Sequence, residues 1–161
     1  MLADMDAVVV DGHRFRLSRA VEEDLPALVV LLSDDRLGEV RESSNLTRYL
    51  RAFREVDGDP SHLLLAVRDQ AGDIVGTMQL TLIPGLARSG AKRLQIEAVR
   101  LASSSRGTGL GQALFEWAHE YGRAHGAALA QLTSDKTRTD AHRFYEKVGY
   151  TASHEGFKRT L

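Results

Sequence analysis

The stretch of this sequence best suited to chemistry is Ser105-Arg106-Gly107-Thr108-Gly109-Leu110-Gly111. It follows an apolar, β-branched run, Leu94 to Leu101, and opens a periodic pattern that begins at Leu110. That order predicts a strand, a glycine-rich turn and a helix N-terminus. The first N–H groups of a helix have no partner inside the helix, and with the helix dipole they make an anion site. Glycines let the backbone approach a phosphate closely and adopt positive φ. Arg106 can pair with a further phosphate oxygen. A pyrophosphate-bearing ligand fits these features. A dinucleotide fingerprint needs glycine at position 112, which is Gln, and the Gly-Lys-Ser/Thr of a nucleotide-binding P-loop is absent.

The elements that must hold this turn can be read along the chain. Val8–Val10 and Phe15–Leu17 around Asp11-Gly12-His13 predict a first strand, starting with a small hairpin. Helix patterns follow at about 22–33, with Glu22, Glu23 and Asp24 in its first turn, and at about 44–56, where Leu46, Tyr49, Leu50 and Phe53 share a face. Asp34–Glu42 is a polar connection. Strands are expected at His62–Val67, Ile74–Ile83 and Lys92–Leu101. In the third, Leu94, Ile96 and Ala98 alternate against Gln95, Glu97 and Val99. After the turn, Leu110, Leu114, Trp117, Ala118 and Tyr121 form a helical face, and Gly126 is a plausible C-cap. Ala127–Leu132 is a buried strand parallel to the one before the turn, because a helix connects them. Ala141, Phe144, Tyr145 and Val148 face one side of a last helix, Gly149 ends it, and Tyr150–Leu161 is expected to return as a strand or strand pair. The fold class is mixed α/β: a mostly antiparallel sheet with one parallel βαβ unit, flanked by helices, in a single domain over 1–161.

Composition bounds the function. A chain of 161 residues, 43% hydrophobic and 27% charged, suits one globular domain. A net charge of −1 argues against a large nucleic-acid footprint. The absence of cysteine excludes disulfides, thiolate metal sites and a cysteine nucleophile, and suits a cytoplasmic setting. No apolar run approaches the ~20 residues that span a bilayer, and Met1–Asp6 lacks the plan of a secretion signal. The six histidines form no zinc pattern, so no metal is expected, and His119 and His125 are read as surface positions.

Two further segments resemble one family in its own order. Arg106, Gly109 and Gly111 fill the Arg/Gln-x-x-Gly-x-Gly pattern of the GCN5-related N-acetyltransferases. Ile96–Leu101 resembles the fourth strand of that family, and Ala141–Tyr150 its A-x-x-hydrophobic-Tyr-x-x-x-Gly-aromatic segment. The run Thr137–Tyr145 with Gly149-Tyr150 and Ser153-His154 is locally similar to aminoalkylphosphonate N-acetyltransferases. The resemblance implies the family's acyl-CoA fold, with acetyl-CoA as cosubstrate and a small-molecule amine as acceptor, attacked directly in a ternary complex. Arg106, Gly107, Thr108, Gly109, Leu110, Gly111 and Gln112 would then surround the pyrophosphate. Val99 and Leu101 would hydrogen-bond the pantetheine like an added strand, where the fourth strand splays from the fifth.

An alkylammonium with pKa near 10.4 must lose a proton before it attacks. Glu97 is the candidate base, with bound water as the alternative. The resemblance assigns the oxyanion to a backbone N–H near Val99, and assigns to Tyr145 the proton for the leaving thiolate. Ala141 and Phe144 lie in the matching helix. Arg138 stands where many members carry Asn, so Arg138 is expected to approach the CoA phosphates instead. The acceptor would lie against 41–53 and 84–93, where Arg41, Arg48, Arg88, Lys92 and Arg93 would suit an anionic amine. A protein or aminoacyl-tRNA amine, and a non-catalytic acyl-CoA sensor, are the competing functions. A homodimer is expected from the family alone.

Overall fold

In the computed structural model, which describes residues 4–34 and 45–161, six strands form one sheet in sequence order. They are β1 (Asp4–Val10), β2 (His13–Arg19), β3 (His62–Arg68), β4 (Ile74–Ile83), β5 (Lys92–Leu101) and β6 (Ala127–Gln131). The first five are antiparallel neighbours, and β6 pairs parallel with β5. Asp11 and Gly12 turn the first hairpin with positive φ, so the expected first strand is a full β1–β2 pair.

The helices are α1 (Leu25–Ser33, led by a 3-10 turn at Glu22–Asp24), α2 (Leu46–Asp57), α3 (Leu110–Ala124) and α4 (Thr139–Lys147). Alternation along β3 sorts them onto two faces. Leu63, Leu65 and Val67 join Leu94, Ile96, Leu110, Leu114 and Phe115 in the larger core under α3. Leu64 and Ala66 join Leu25, Leu28 and Phe53 under α1 and α2. Asp24 on this second face is buried but paired: its carboxylate accepts from Arg68 at 2.6 Å and from the Val21 N–H at 3.0 Å. The polar connection at 35–42 and the start expected for the second helix at residue 44 lie outside the described residues.

Three expectations need correction. Residues 151–161 form no strand and are exposed throughout. β6 is an edge strand, half-buried rather than buried. The expected face of α3 holds: Leu110, Leu114 and Ala118 lie in the core, joined by Phe115 and Gly122, and Trp117 and Tyr121 pack against it half-buried and stack on each other beside β1, where Trp117 donates to Asp6 at 3.0 Å. His119 is not a surface residue. It packs on Phe115, and its Nε2 lies 2.8 Å from the Tyr150 hydroxyl. The missing signal was aromatic: α3 and α4 meet through Phe115, Phe144, Tyr145 and Tyr150, and no spacing within α3 reports that contact.

Candidate active site

β5 is where the sheet opens. It pairs with β6 only through Lys92–Gln95. From Ile96 onward, among the described residues, β5 has a strand neighbour only in β4. The parting leaves a wedge whose walls are the second half of β5 and the end of β6. Within the same stretch β5 carries a bulge. Thr77 pairs with Arg100 and Gln79 with Glu97, so Met78 faces both Ala98 and Val99. Ala98 takes φ of 52°, a left-handed conformation that costs a non-glycine residue about 1–3 kcal/mol and persists only where surroundings impose it. The bulge flips the alternation, so Val99 and not Ala98 packs on the core beneath α3. The sequence pattern carried the alternation straight through this point, because a bulge leaves no mark on apolar spacing.

The bulge turns the Val99 and Leu101 carbonyls away from β4. They accept instead from side chains: Val99 O from Arg100 Nη1 at 2.9 Å, and Leu101 O from Arg106 Nε at 3.1 Å. Each carbonyl keeps a second lone pair.

Beneath the wedge lies the glycine turn. Gly107 and Gly109 have φ of 72° and 91°, and Gly109 is the residue that opens α3. Thr108 braces the turn from within. Its hydroxyl donates to Ser105 O at 2.7 Å and stands 3.5 Å from the Leu110 N–H. The N–H groups of Gly111 and Gln112 follow in the first turn of a 15-residue helix. The Gln112 side chain donates to Glu116 at 3.0 Å, along the helix, which leaves its backbone N–H as the group facing the turn. A methyl group on Gly111 would stand 3.5 Å from the Phe144 ring and 3.6 Å from Leu101. That contact ties turn, β5 and α4 together. Arg106 reaches across to the end of α1, where its Nη2 donates to the Asp34 carboxylate and to the Asp34 carbonyl, both at 3.0 Å. Asp34 lies 72 positions from Arg106, and nothing in the sequence links them.

Tyr145 lies across α4 from this turn, within 5.8 Å of Phe115 and 5.7 Å of Phe144, ring centre to centre. Burial pushes its phenol above the usual value near 10, and the Arg138 and Arg100 guanidinium groups pull it partly back. It is therefore a neutral phenol at physiological pH. Arg138 precedes α4, where its carbonyl accepts from His142, and Ala141 is half-buried in the first turn. Glu97 stands apart. It shares the strand face of Gln95, opposite Leu94 and Ile96, so it points to the α1–α2 side of the sheet and is exposed. Tyr145 and the glycine turn belong to the α3–α4 side. The wedge is where the two sides communicate.

Of the basic residues expected near an acceptor, Arg48 and Arg88 are exposed, Arg93 is half-buried, and Lys92 is drawn to the end of α3 by the His125 carbonyl at 2.8 Å. Arg41 lies outside the described residues. His154 is exposed beside Ser153. Arg100, which donates to Val99 O, and Asp34, which accepts from Arg106, are the two neighbours of this candidate site that sequence reasoning missed. Among the described residues no group of three or more His, Cys, Asp or Glu side chains could hold a metal ion, and no helix is long and apolar enough to cross a membrane.

Residues 25–150 match the model of the Acetyltransferase (GNAT) family. An aminoalkylphosphonate N-acetyltransferase of Salmonella typhimurium is 36% identical over 104 residues. That match covers 64% of this chain and 66%, just under two thirds, of the relative. Among solved structures, a transcriptional regulator from Bacillus halodurans C-125 superposes with a TM-score of 0.86 at 41% identity, covering 91% of this chain and 99% of that one. Glucosamine-6-phosphate N-acetyltransferase from Arabidopsis thaliana shares the fold, with a TM-score of 0.75 at 20% identity over 91% of this chain and 98% of its own. With a wedge between parallel strands, a bulge in one wall and a glycine turn at its base, matched by a family model over most of its length, the chain belongs to the acetyltransferase (GNAT) family.

Proposed function

We propose that this chain transfers the acetyl group of acetyl-CoA to the primary amine of a small molecule, both substrates being bound together. The observation that carries the reading is the parting of β5 from β6 directly ahead of the glycine turn. It offers an extended thioester arm two backbone carbonyls, and its pyrophosphate a helix N-terminus. Gly107–Gln112 supply backbone N–H groups to the phosphates, and Arg106 supplies charge. Arg138 gives a second cation on the α4 side. Ala141 and Phe144 pack beside the arm.

The residues then divide the proton work. Glu97, on the acceptor side of the sheet, takes a proton from the incoming ammonium, directly or through water. The amine nitrogen bonds to the acetyl carbon, and the backbone N–H at the Ala98–Val99 bulge steadies the oxyanion. As the carbon–sulfur bond breaks, Tyr145 gives its phenolic proton to the thiolate; the second amine proton leaves the nitrogen and restores the phenol through water, Glu97 passes its proton to solvent, and the amide and the CoA thiol leave. Burial that keeps this phenol protonated suits it to that role.

The relative from Salmonella makes aminoalkylphosphonates the first acceptor class to test. The near-neutral charge and the lack of cysteine support action in the cytoplasm without a nucleic-acid partner. The experiment is release of CoA thiol with a panel of aminoalkylphosphonates, polyamines, aminoglycosides and amino acids. Amine-dependent release is expected, with kcat lowered at least tenfold in Tyr145→Phe and in Glu97→Gln. The Glu97→Gln loss should shrink between pH 7 and pH 9, as more amine is already free.

One relative bears the name of a transcriptional regulator, which favours a second reading, an acyl-CoA sensor. Tight acetyl-CoA binding without turnover on any amine would select it.

A further inference from the structure

Two side chains at the fork of β5 and β6 take no part in the chemistry above. Gln95 and Gln131 face each other on the last paired rung before the strands part. The register of β6 slips between Ala127 and Leu129 and runs evenly from there to Gln131. The side chains repeat the backbone pairing: Gln131 Nε2 donates to Gln95 Oε1 at 2.7 Å.

The rung continues across the sheet. Gln95 pairs with Thr81 on β4, and Thr81 pairs with His62 on β3. Thr81 Oγ1 lies 2.9 Å from His62 Nδ1, and His62 Nε2 stands 3.8 Å from the Asp59 carboxylate. Directly opposed residues put their side chains on one face of a sheet. Here it is the α1–α2 face, because His62 alternates in step with Leu64 and Ala66. The core under α1 and α2 gathers at Leu64, Ala66 and Ile74, and beyond Leu64 the same face turns polar. His62, Thr81, Gln95 and Gln131 form one half-buried line, and the next rung carries Gln79 and Glu97. Polar side chains at half-buried positions bring a desolvation cost that apolar ones would not.

Bonded to each other, the two amides still have groups to offer. An amide carries two N–H donors and an oxygen with two lone pairs. After the mutual bond, Gln131 retains one N–H and both lone pairs, and Gln95 retains both N–H and one lone pair. Turning both amides over exchanges these roles and leaves the same inventory. The pair therefore sets donors and acceptors side by side, as a group that both gives and takes a hydrogen bond requires. Glu97 lies two residues further along β5 on the same face, roughly 7 Å away by strand rise. A ligand chain of about four to five bonds spans about 5–6 Å.

We propose that the Gln95–Gln131 amide pair is the subsite for the far end of the acceptor, and that it takes a hydroxyl or other oxygen-bearing group about four to five bonds from the attacking nitrogen. The inference rests on the transfer reading above, in which the amine meets Glu97. Thr81, held by His62, closes the line on the β4 side. An acceptor with a methyl group in place of the oxygen leaves the amide groups unpaired in a half-buried site, which is the basis of the discrimination.

The test is release of CoA thiol with two acceptors of equal length, aminobutanol with its hydroxyl at the far end and pentylamine, on the unaltered chain, Gln95→Met and Gln131→Met. The kcat/KM for aminobutanol should exceed that for pentylamine by about tenfold or more, and the ratio should fall to about one in both variants. The dissociation constant of acetyl-CoA should stay within about twofold in both, which a collapse of the fork would not allow. A ratio near one in the unaltered chain, or a preference that survives in both variants, would overturn the subsite. Should no amine release thiol, the transfer reading fails by itself, and the same two amines are titrated calorimetrically into the CoA-bound chain. Tighter binding of aminobutanol that both variants abolish then upholds the subsite, and equal binding overturns it.

Discussion

Arg106 is held by Asp34 in this structure, and the same guanidinium is assigned to the pyrophosphate. The two roles compete, and the competition can be measured. Both side chains of the ion pair are about half exposed, at 48% and 49%. Pairs of that kind contribute about 0.2–1 kcal/mol. Asp34→Asn keeps the backbone carbonyl as a partner and removes the charge, so it should release at most that amount toward a phosphate, tightening CoA about 1.4- to 5-fold. Arg106→Ala removes a charge-assisted hydrogen bond worth about 1.5–3 kcal/mol and should weaken CoA about 10- to 140-fold. The double variant should match Arg106→Ala, because Asp34 acts only through Arg106. Calorimetric titration with CoA measures all four proteins, and pantetheine, which has no pyrophosphate, is the control on which Arg106→Ala should have no effect. High salt should erase the gain in Asp34→Asn. An Arg106→Ala affinity within twofold of the original would refute the phosphate contact. Weaker binding in Asp34→Asn would show that Asp34 positions Arg106 and does not compete for it.

Two further outcomes follow from the packing. Gly122 sits where α3 crosses β5, and a Cβ there would meet Leu94 Cδ2 at 3.0 Å and Leu94 Cβ at 3.4 Å. Gly122→Val should therefore destabilise by about 1–3 kcal/mol through overpacking, read as a Tm drop of several degrees. His119 and Tyr150 form a neutral, half-buried pair. Burial pushes the Tyr150 phenol up to about 12, with Tyr145 adding to the rise, and burial lowers His119 from its usual value. The tyrosine contribution is present below pH 10 and is lost as pH rises from there toward 12, because the unfolded chain ionises first. The histidine contribution is lost as pH falls below about 6.5, because the unfolded chain binds the proton first. Urea unfolding across pH 5–11 should show both limbs, and Tyr150→Phe should flatten the alkaline one.

The local order of the site was legible without coordinates. Strand, glycine turn and helix follow from residue type and spacing between Leu94 and Tyr121, and positive φ at Gly107 and Gly109 answers to the need for glycine there. The face of Phe144, Tyr145 and Val148 and the stop at Gly149 were equally local. These features depend on neighbours within a few residues, which a sequence records directly. What depends on distant neighbours was decided only in three dimensions. The bulge at Ala98 arises from how β5 meets β4, so an even alternation of apolar residues concealed it. Asp34 meets Arg106 because α1 ends beside the glycine turn. His119 left the surface because α4 brings Tyr150 onto it. Residues 151–161, expected to return as a strand, form none: only Thr151, Phe157 and Thr160 are β-branched or aromatic, and pairing with a neighbour, not spacing, decides a strand. Local chemistry specified the parts of the site; long-range packing decided which carbonyls face the wedge, which cations face each other, and where the sheet stops.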